Sequence, residues 1–240
     1  MKMDKIALIA DIHGNMPALE AAEGDIKRRG IESIYFLGDM ISRGPDFNGA
    51  IDWCRANCEI VLLGNNDHHA VTKARKDYAD EIGVERCEWL ATLSLYHKMW
   101  LSGRRIHMFH GRPLYKPVIW EDTPSSEKLA LFDLIKDEFP PDILIVADIH
   151  RQYKTDFKDD HRFMLNTGSI GCSYCTPTAQ YVVLHGIKDS MIPAPISVEF
   201  VSVPYDNEKA AMNARNSCNL PDVESYIKEI TLGVWHNLKW

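Results

Sequence analysis

Lys5-Ile6-Ala7-Leu8-Ile9-Ala10-Asp11-Ile12-His13-Gly14-Asn15 opens as an apolar run behind one lysine and ends in side chains that favour metal ions. A short apolar run stopped by Asp, Gly or Asn reads as a buried strand running out into a turn. The pattern recurs four times. Residues 34–37 lead into Gly38-Asp39, and 60–63 lead into Gly64-Asn65-Asn66-Asp67. Residues 105–109 lead into His110-Gly111, and 143–146 into Ala147-Asp148-Ile149-His150. Strands of one sheet bring their C-terminal ends together, so groups far apart in sequence can meet in a single crevice.

The intervening residues set the fold class. Residues 16–29 predict a helix with Leu19, Ala22 and Ile26 on one face and Gly30 as its stop. Residues 33–37 predict a strand, 46–56 a helix and 60–63 a third strand. This β-α-β-α-β opening predicts an α/β protein with parallel pairing and right-handed crossovers. Residues 68–101, with Trp89, Leu90, Leu93, Leu95, His97 and Trp100 scattered among charges, predict a helical, cap-like insertion beside the crevice. A helix over 125–138 closes at Pro140-Pro141. Alternating segments at 152–157, 162–166, 180–184 and 197–203 look antiparallel, and two helices over 206–232 divide near Pro221. No repeat or Pro/Gly/Ser linker interrupts the chain, which predicts one domain over residues 1–240.

Composition narrows the partners. With 240 residues, 45% of them hydrophobic, the chain can bury one substantial core. The net charge of −7 argues against a general nucleic-acid binder or an anionic-membrane binder. A small phosphorylated substrate stays compatible, because bound metal ions supply local positive charge. No run approaches the ~20 apolar residues of a membrane span. Met1-Lys2-Met3-Asp4-Lys5 leads straight into a strand, so the expected location is cytoplasmic. Cys54/Cys58 and Cys172/Cys175 are spaced for a zinc site, but reduced, packed thiols are the better reading.

The strand-end residues carry the chemistry. Alternate positions of an extended segment point the same way, so Asp11 and His13 are expected to grip one ion. Asp39 has two oxygens and can bridge. Asn65 offers a neutral oxygen and His110 an imidazole, and Asp148 with His150 repeats the first spacing. That donor mixture suits two divalent cations ~3.5–4 Å apart, an arrangement that hydrolyses phosphate esters.

The ordered set resembles the calcineurin-like metallophosphoesterase superfamily, whose signature runs DxH, GDxx, GNHD, GH and GHxH. The resemblance implies a four-layer α-β-β-α sandwich of two mixed sheets. It implies that Asp11, His13 and His150 hold one ion, that Asp39 bridges, and that Asn65, His110 and Asp148 hold the other. The nucleophile it implies is a hydroxide on those ions, with manganese first and iron, zinc, nickel or magnesium as alternatives. Gly38-Asp39-Met40-Ile41-Ser42-Arg43-Gly44-Pro45 is similar to the GDxxxRGP of symmetrical diadenosine-tetraphosphate hydrolases and Ser/Thr protein phosphatases. That similarity implies phosphate contact by Arg43 and favours a nucleotide substrate such as a dinucleoside polyphosphate. The alternatives are a phosphodiesterase, a protein phosphatase, or a catalytically silent metal-binding scaffold.

Two positions depart from the signature. Asn66 stands where the family has a histidine that protonates the leaving oxygen, and an amide cannot serve as that acid. Asn66 is left to hydrogen-bond the phosphate or leaving group, with His68 or His69 as a neighbouring contact. Asp148 replaces the first histidine of GHxH, which predicts a harder second site. Simpler roles are expected elsewhere. Asn15 reads equally well as a helix cap and as a site residue, His107 packs in a strand, and Asn166-Thr167-Gly168-Ser169 is a supporting turn.

Overall fold

The computed structural model describes residues 3–138, 140–157, 161–217, 220 and 222–234. The chain begins β1 (Asp4–Ile9), α1 (Met16–Arg28), β2 (Ser33–Phe36), α2 (Phe47–Asn57), β3 (Ile60–Val61), with β1, β2 and β3 parallel. Asn15 caps α1 by accepting from Ala18 N at 3.2 Å, and Pro17 sits where a missing N–H costs nothing. Leu19, Ala22 and Ile26 are the buried face of α1, as their spacing predicts.

Next come α3 (Asn65–Val71), α4 (Lys76–Leu90), the hairpin β4 (Tyr96–Leu101) and β5 (Arg104–Phe109), α5 (Ser125–Ala130) and β6 (Ile143–Val146). They are followed by β7 (Gln152–Phe157), β8 (Arg162–Thr167), β9 (Ala179–Gly186), β10 (Ser197–Val203), α6 (Asn207–Asn216) and α7 (Val223–Leu232). The helices α6 and α7 fill the predicted C-terminal pair. Pro221, the expected dividing point, lies outside the described residues.

Two five-stranded sheets result, ordered β10-β9-β1-β2-β3 and β4-β5-β6-β8-β7. Both mix parallel and antiparallel pairs. Ile6, Leu8, Tyr35, Leu37, Val182 and Leu184 from the first sheet meet Met99, Leu101, Ile106, Met108, Ile143 and Ile145 from the second. A second core joins α1, α2 and α4 to the outer face of the first sheet, and a third covers the second sheet with Phe109, Leu131, Phe132 and Tyr153. The architecture is the predicted α-β-β-α sandwich. The C-terminal ends of β1, β2, β5 and β6 open on the same edge, where the loops bearing Asp11, Asp39, His110 and Asp148 meet.

The helical reading of 68–101 needs correction. Its last six residues are β4, pairing antiparallel with β5 from Tyr96↔Phe109 to Leu101↔Arg104. Met99 and Leu101 point into the core between the sheets while their neighbours are less buried, a period of two that a helix cannot satisfy. Ser102 (φ 50°) and Gly103 (φ 77°) close the hairpin with two positive-φ residues, as a type I′ turn requires. The helix predicted over 125–138 is also shorter. It ends at Ala130 and tightens into a 3₁₀ turn over Leu131–Asp133 that buries Leu131 and Phe132 side by side.

Candidate metal centre

Asp11 and His13 do not lie on an extended segment. Both follow the end of β1, at φ 54° and 50°, and Asp39 (66°), Asp148 (75°) and His150 (58°) share this left-handed conformation. Backbone bonds hold them there: Asp11 N to Gly38 O (2.9 Å), His13 N to Asp39 O (3.2 Å) and Gly14 N to Met40 O (3.0 Å). The loops after β1 and β2 are thereby laced together. Gly64 closes the third side, because a Cβ there would lie 2.1 Å from Asp39 Oδ1.

Three imidazoles are fixed in one tautomer. Nδ1 of His13 meets Ile41 O (2.8 Å), Nδ1 of His110 meets Leu37 O (2.8 Å), and Nδ1 of His150 meets Cys172 O (2.9 Å). A carbonyl only accepts, so each Nδ1 carries the hydrogen and each Nε2 presents a lone pair. Those lone pairs converge. His13 Nε2 lies 3.0 Å from His150 Nε2. Asp11 Oδ1 lies 3.3 Å from Nε2 of His150, 3.5 Å from that of His13 and 3.8 Å from that of His110. Among the described residues it has no hydrogen-bond partner. Asp39 Oδ2 is 3.5 Å from His110 Nε2 and 3.9 Å from His13 Nε2.

Electrostatics point to a cation. Burial would raise the Asp11 carboxyl, but His150 and then His110 hold it well below the usual carboxylate range. Asp39 is likewise drawn down to about 2, by His110 against the upward push of burial. Burial would lower His110, yet Asp39 and Asp11 push it up to about 10, so without an ion a proton on Nε2 takes the place that a cation would fill. Buried acceptors facing one another at these distances repel unless positive charge stands between them. The donors form two overlapping groups able to hold a divalent ion: Asp11, His13 and His150, and Asp11, Asp39 and His110. Metal ligands therefore fit the residues present.

Of the remaining predicted site residues, all but His68 gather at the rim. Asn66 N and Nδ2 donate to Asp39 Oδ1 (2.8 Å) and Oδ2 (2.5 Å). Asn65 opens α3 beside Asp148 and Asn66. Asp148 Oδ1 is 3.7 Å from His110 Nε2 and also receives the Arg112 guanidinium. Arg43 reaches the same cavity, but its NH1 donates to both Glu229 oxygens at 2.7 and 2.6 Å. His69, not His68, lines the cavity; the His68 carbonyl takes the Thr72 amide and hydroxyl along α3. Among the described residues no cysteine joins either cluster, and Cys54, Cys58, Cys87, Cys172 and Cys175 are free thiols.

Sequence reading passed over three contributors. Asp67 accepts from the amides of Asp39 (2.8 Å), Met40 (3.0 Å) and Gly64 (3.0 Å), fixing the loop that carries Asp39. Its place in Gly64-Asn65-Asn66-Asp67 was the available signal. Tyr174 stacks on His150 with ring centroids 5.1 Å apart. Arg112 follows His110-Gly111, but nothing in the sequence joins it to Asp148.

The calcineurin-like phosphoesterase profile matches residues 4–155, well over half of the chain. The chain is a calcineurin-like phosphoesterase. An uncharacterized protein of Methanocaldococcus jannaschii is 28% identical over 246 residues, covering 88% of this phosphoesterase and 91% of the relative. A metallophosphoesterase from Sphaerobacter thermophilus shares the fold with a TM-score of 0.73 at 21% identity, covering 96% of this chain and 99% of that one. A hypothetical protein from Pyrococcus horikoshii gives 0.71 at 22%, covering 94% and 97%. Family membership makes this phosphoesterase a metal-dependent hydrolase of phosphoester bonds, acting on small phosphorylated substrates. None of its described helices is long and apolar enough to cross a membrane.

Proposed function

We propose that this phosphoesterase hydrolyses a nucleotide-type phosphoanhydride, such as a dinucleoside polyphosphate, with two divalent ions, manganese foremost. Asp11, His13 and His150 would hold one ion, Asn65, His110 and Asp148 the other, and Asp39 both. Such ions supply Lewis acidity for phosphoryl oxygens and make water nucleophilic near neutral pH. The chain's own groups do the rest. Bonds from Nδ1 to carbonyls keep the three imidazoles aimed inward, and Asn66 donates toward the bridging carboxylate, beside the phosphate's place.

Asn66 is the observation that carries the substrate class. Its carboxamide sits on Asp39 and has no proton to give a departing alkoxide. An anhydride releases a phosphate, which titrates near ~6 and leaves without prior protonation. The cavity beside the metal centre, about 570 Å³, is of small-ligand size and is lined by Arg43, Arg75, Arg112 and the aromatic Trp120. Guanidinium groups suit a polyphosphate and an indole suits a base. The free thiols suit a reducing compartment, and on that ground we assign the protein to the cytoplasm.

Purified protein with added manganese should cleave diadenosine tetraphosphate and aryl phosphates far faster than an alkyl phosphomonoester. Asn66→His should raise the alkyl rate by roughly 10²-fold or more and leave the anhydride rate nearly unchanged. Equal rates on alkyl ester and anhydride in the wild type would overturn the anhydride reading. Turnover of bis-p-nitrophenyl phosphate without anhydride cleavage would make the enzyme a phosphodiesterase instead.

A further inference from the structure

Arg112 grips the carboxylate that stands where the family signature has a neutral histidine. Its Nε lies 2.9 Å from Asp148 Oδ2 and its NH2 2.7 Å from Oδ1, a two-pronged contact only arginine can make. The Asp148 side chain is 6% exposed, so its charge is poorly screened. Backbone geometry permits the approach. Gly111, at φ 140°, has no Cβ, and a Cβ there would crowd Asp148 Cβ at 3.0 Å and Oδ2 at 3.1 Å. Asp11, Asp39 and Asp148 bring three carboxylates to the centre, one more than the signature provides.

We infer that Arg112 and Asp148 act as one unit replacing the missing histidine: the guanidinium cancels the carboxylate charge that Asp148 adds at the second ion. Arg112 thus acts through Asp148, by its charge, and does not itself touch the ion. The inference rests on the two-ion reading above and goes beyond it. A cation site with neutral nitrogen donors differs from one with an extra carboxylate in affinity and in preferred metal. The guanidinium offsets the first difference while leaving an oxygen donor in place.

Substituting each partner separately and together tests the pairing. Manganese affinity is read by isothermal titration on metal-stripped protein, and stoichiometry by elemental analysis. In Asp148→His the unpaired guanidinium faces the cation, so second-site affinity should fall roughly 10–100-fold. Arg112→Ala alone leaves the carboxylate uncompensated and should tighten manganese binding. Arg112→Ala/Asp148→His should return to within a few-fold of wild type, and Arg112→Lys should stay there because it keeps the charge. Circular dichroism and retention of the first ion show that each variant is folded; an unfolded Asp148→His is replaced by Asp148→Asn, which also leaves the guanidinium uncompensated. A double variant no better than the single histidine variant, or weaker binding in Arg112→Ala, would overturn the inference. A wild-type protein that takes up no ion would instead sink the two-ion reading.

Discussion

Asn15→Asp separates a helix cap from a structural bridge, because it preserves one role and destroys the other. The Asn15 oxygen accepts from Ala18 N at 3.2 Å, and a carboxylate would cap α1 equally well. Its Nδ2 donates to Gly171 O at 2.8 Å and to Tyr205 OH at 3.2 Å, and a carboxylate cannot. Gly171 belongs to the segment that holds the metal centre. Gly171 N and Ser169 Oγ both donate to Asp11 O at 2.9 Å, and Cys172 O takes the His150 Nδ1 proton. Asn15 is fully buried, so water cannot replace the lost donor.

An orphaned buried carbonyl costs ~1–3 kcal/mol, and a buried carboxylate facing it adds to that. Asn15→Asp should therefore lose at least about 2 kcal/mol, which for a chain of this length lowers Tm by about 4 °C or more. Asn15→Ala loses the cap as well as the bridge, about 1.5–5 kcal/mol in all. Differential scanning fluorimetry and urea unfolding would measure both variants, and manganese titration should show weaker binding to the group of Asp11, His13 and His150. A cap-only role makes the opposite forecast: Asn15→Asp as stable as wild type while Asn15→Ala loses about 1 kcal/mol. That pattern would refute the bridge.

Other consequences are checked more quickly. Burial and then Lys98 depress His107 to about 4, against the pull of Asp137. The unfolded chain thus takes up a proton between the ordinary value of 6.5 and about 4 that the native state refuses, so stability falls as pH drops through that window. His107→Leu should flatten this acid limb in unfolding titrations; an unchanged limb would assign it to other groups. Glu229→Ala removes two charge-assisted bonds from Arg43 and should cost ~1.5–3 kcal/mol while lowering KM for anionic substrates by removing a competing carboxylate. A raised KM would mean the pair orients Arg43 for substrate. Manganese at 100 times its dissociation constant should stabilise the metal-stripped protein by ~2.7 kcal/mol, seen as a higher Tm; no shift would argue against a site organised before metal arrives.

Much of the fold is legible because its strands are buried and stop abruptly. Ile6–Ile9 and Ile143–Val146 are continuous apolar runs of four, each followed by Ala-Asp, and that length suits a strand better than a helix. β4 escaped for the converse reason. In Tyr96-His97-Lys98-Met99-Trp100-Leu101 the outward positions carry bulky, partly apolar side chains, which blurs the alternation. The better signal was the Ser102-Gly103 pair directly before β5. The site was legible wherever a motif names a residue type at a strand end, as for Asp11, Asp39 and His110. It was illegible where function depends on contact across sequence. Asp148 reads as an odd ligand until Arg112 is seen upon it, and Arg43 reads as a free phosphate contact until α7 brings Glu229 to it. His68 and His69 are adjacent in sequence, so only the position of α3 decides which one faces the cavity.

The left-handed backbone at the centre explains how so short a motif as Asp-x-His brings two groups together. On a regular strand, alternate residues share a face but stand roughly 6.6 Å apart. Placing Asp11 and His13 at positive φ turns both inward, and His13 Nε2 comes within 3.5 Å of Asp11 Oδ1. Each such residue costs ~1–2 kcal/mol relative to ordinary backbone, and five occur among the proposed ligands. The strain persists because neighbouring loops satisfy the amides: Gly38 O, Asp39 O and Met40 O each take one from the segment after β1. Asp39 in turn is pinned through its own amide by Asp67. The ligands therefore cannot relax apart one at a time, since freeing Asp11 orphans Gly38 O and freeing His13 orphans Asp39 O. A centre so interlocked holds its donors at short range before any ion arrives, and binding energy that would otherwise order the loops goes into holding the cation and its phosphate.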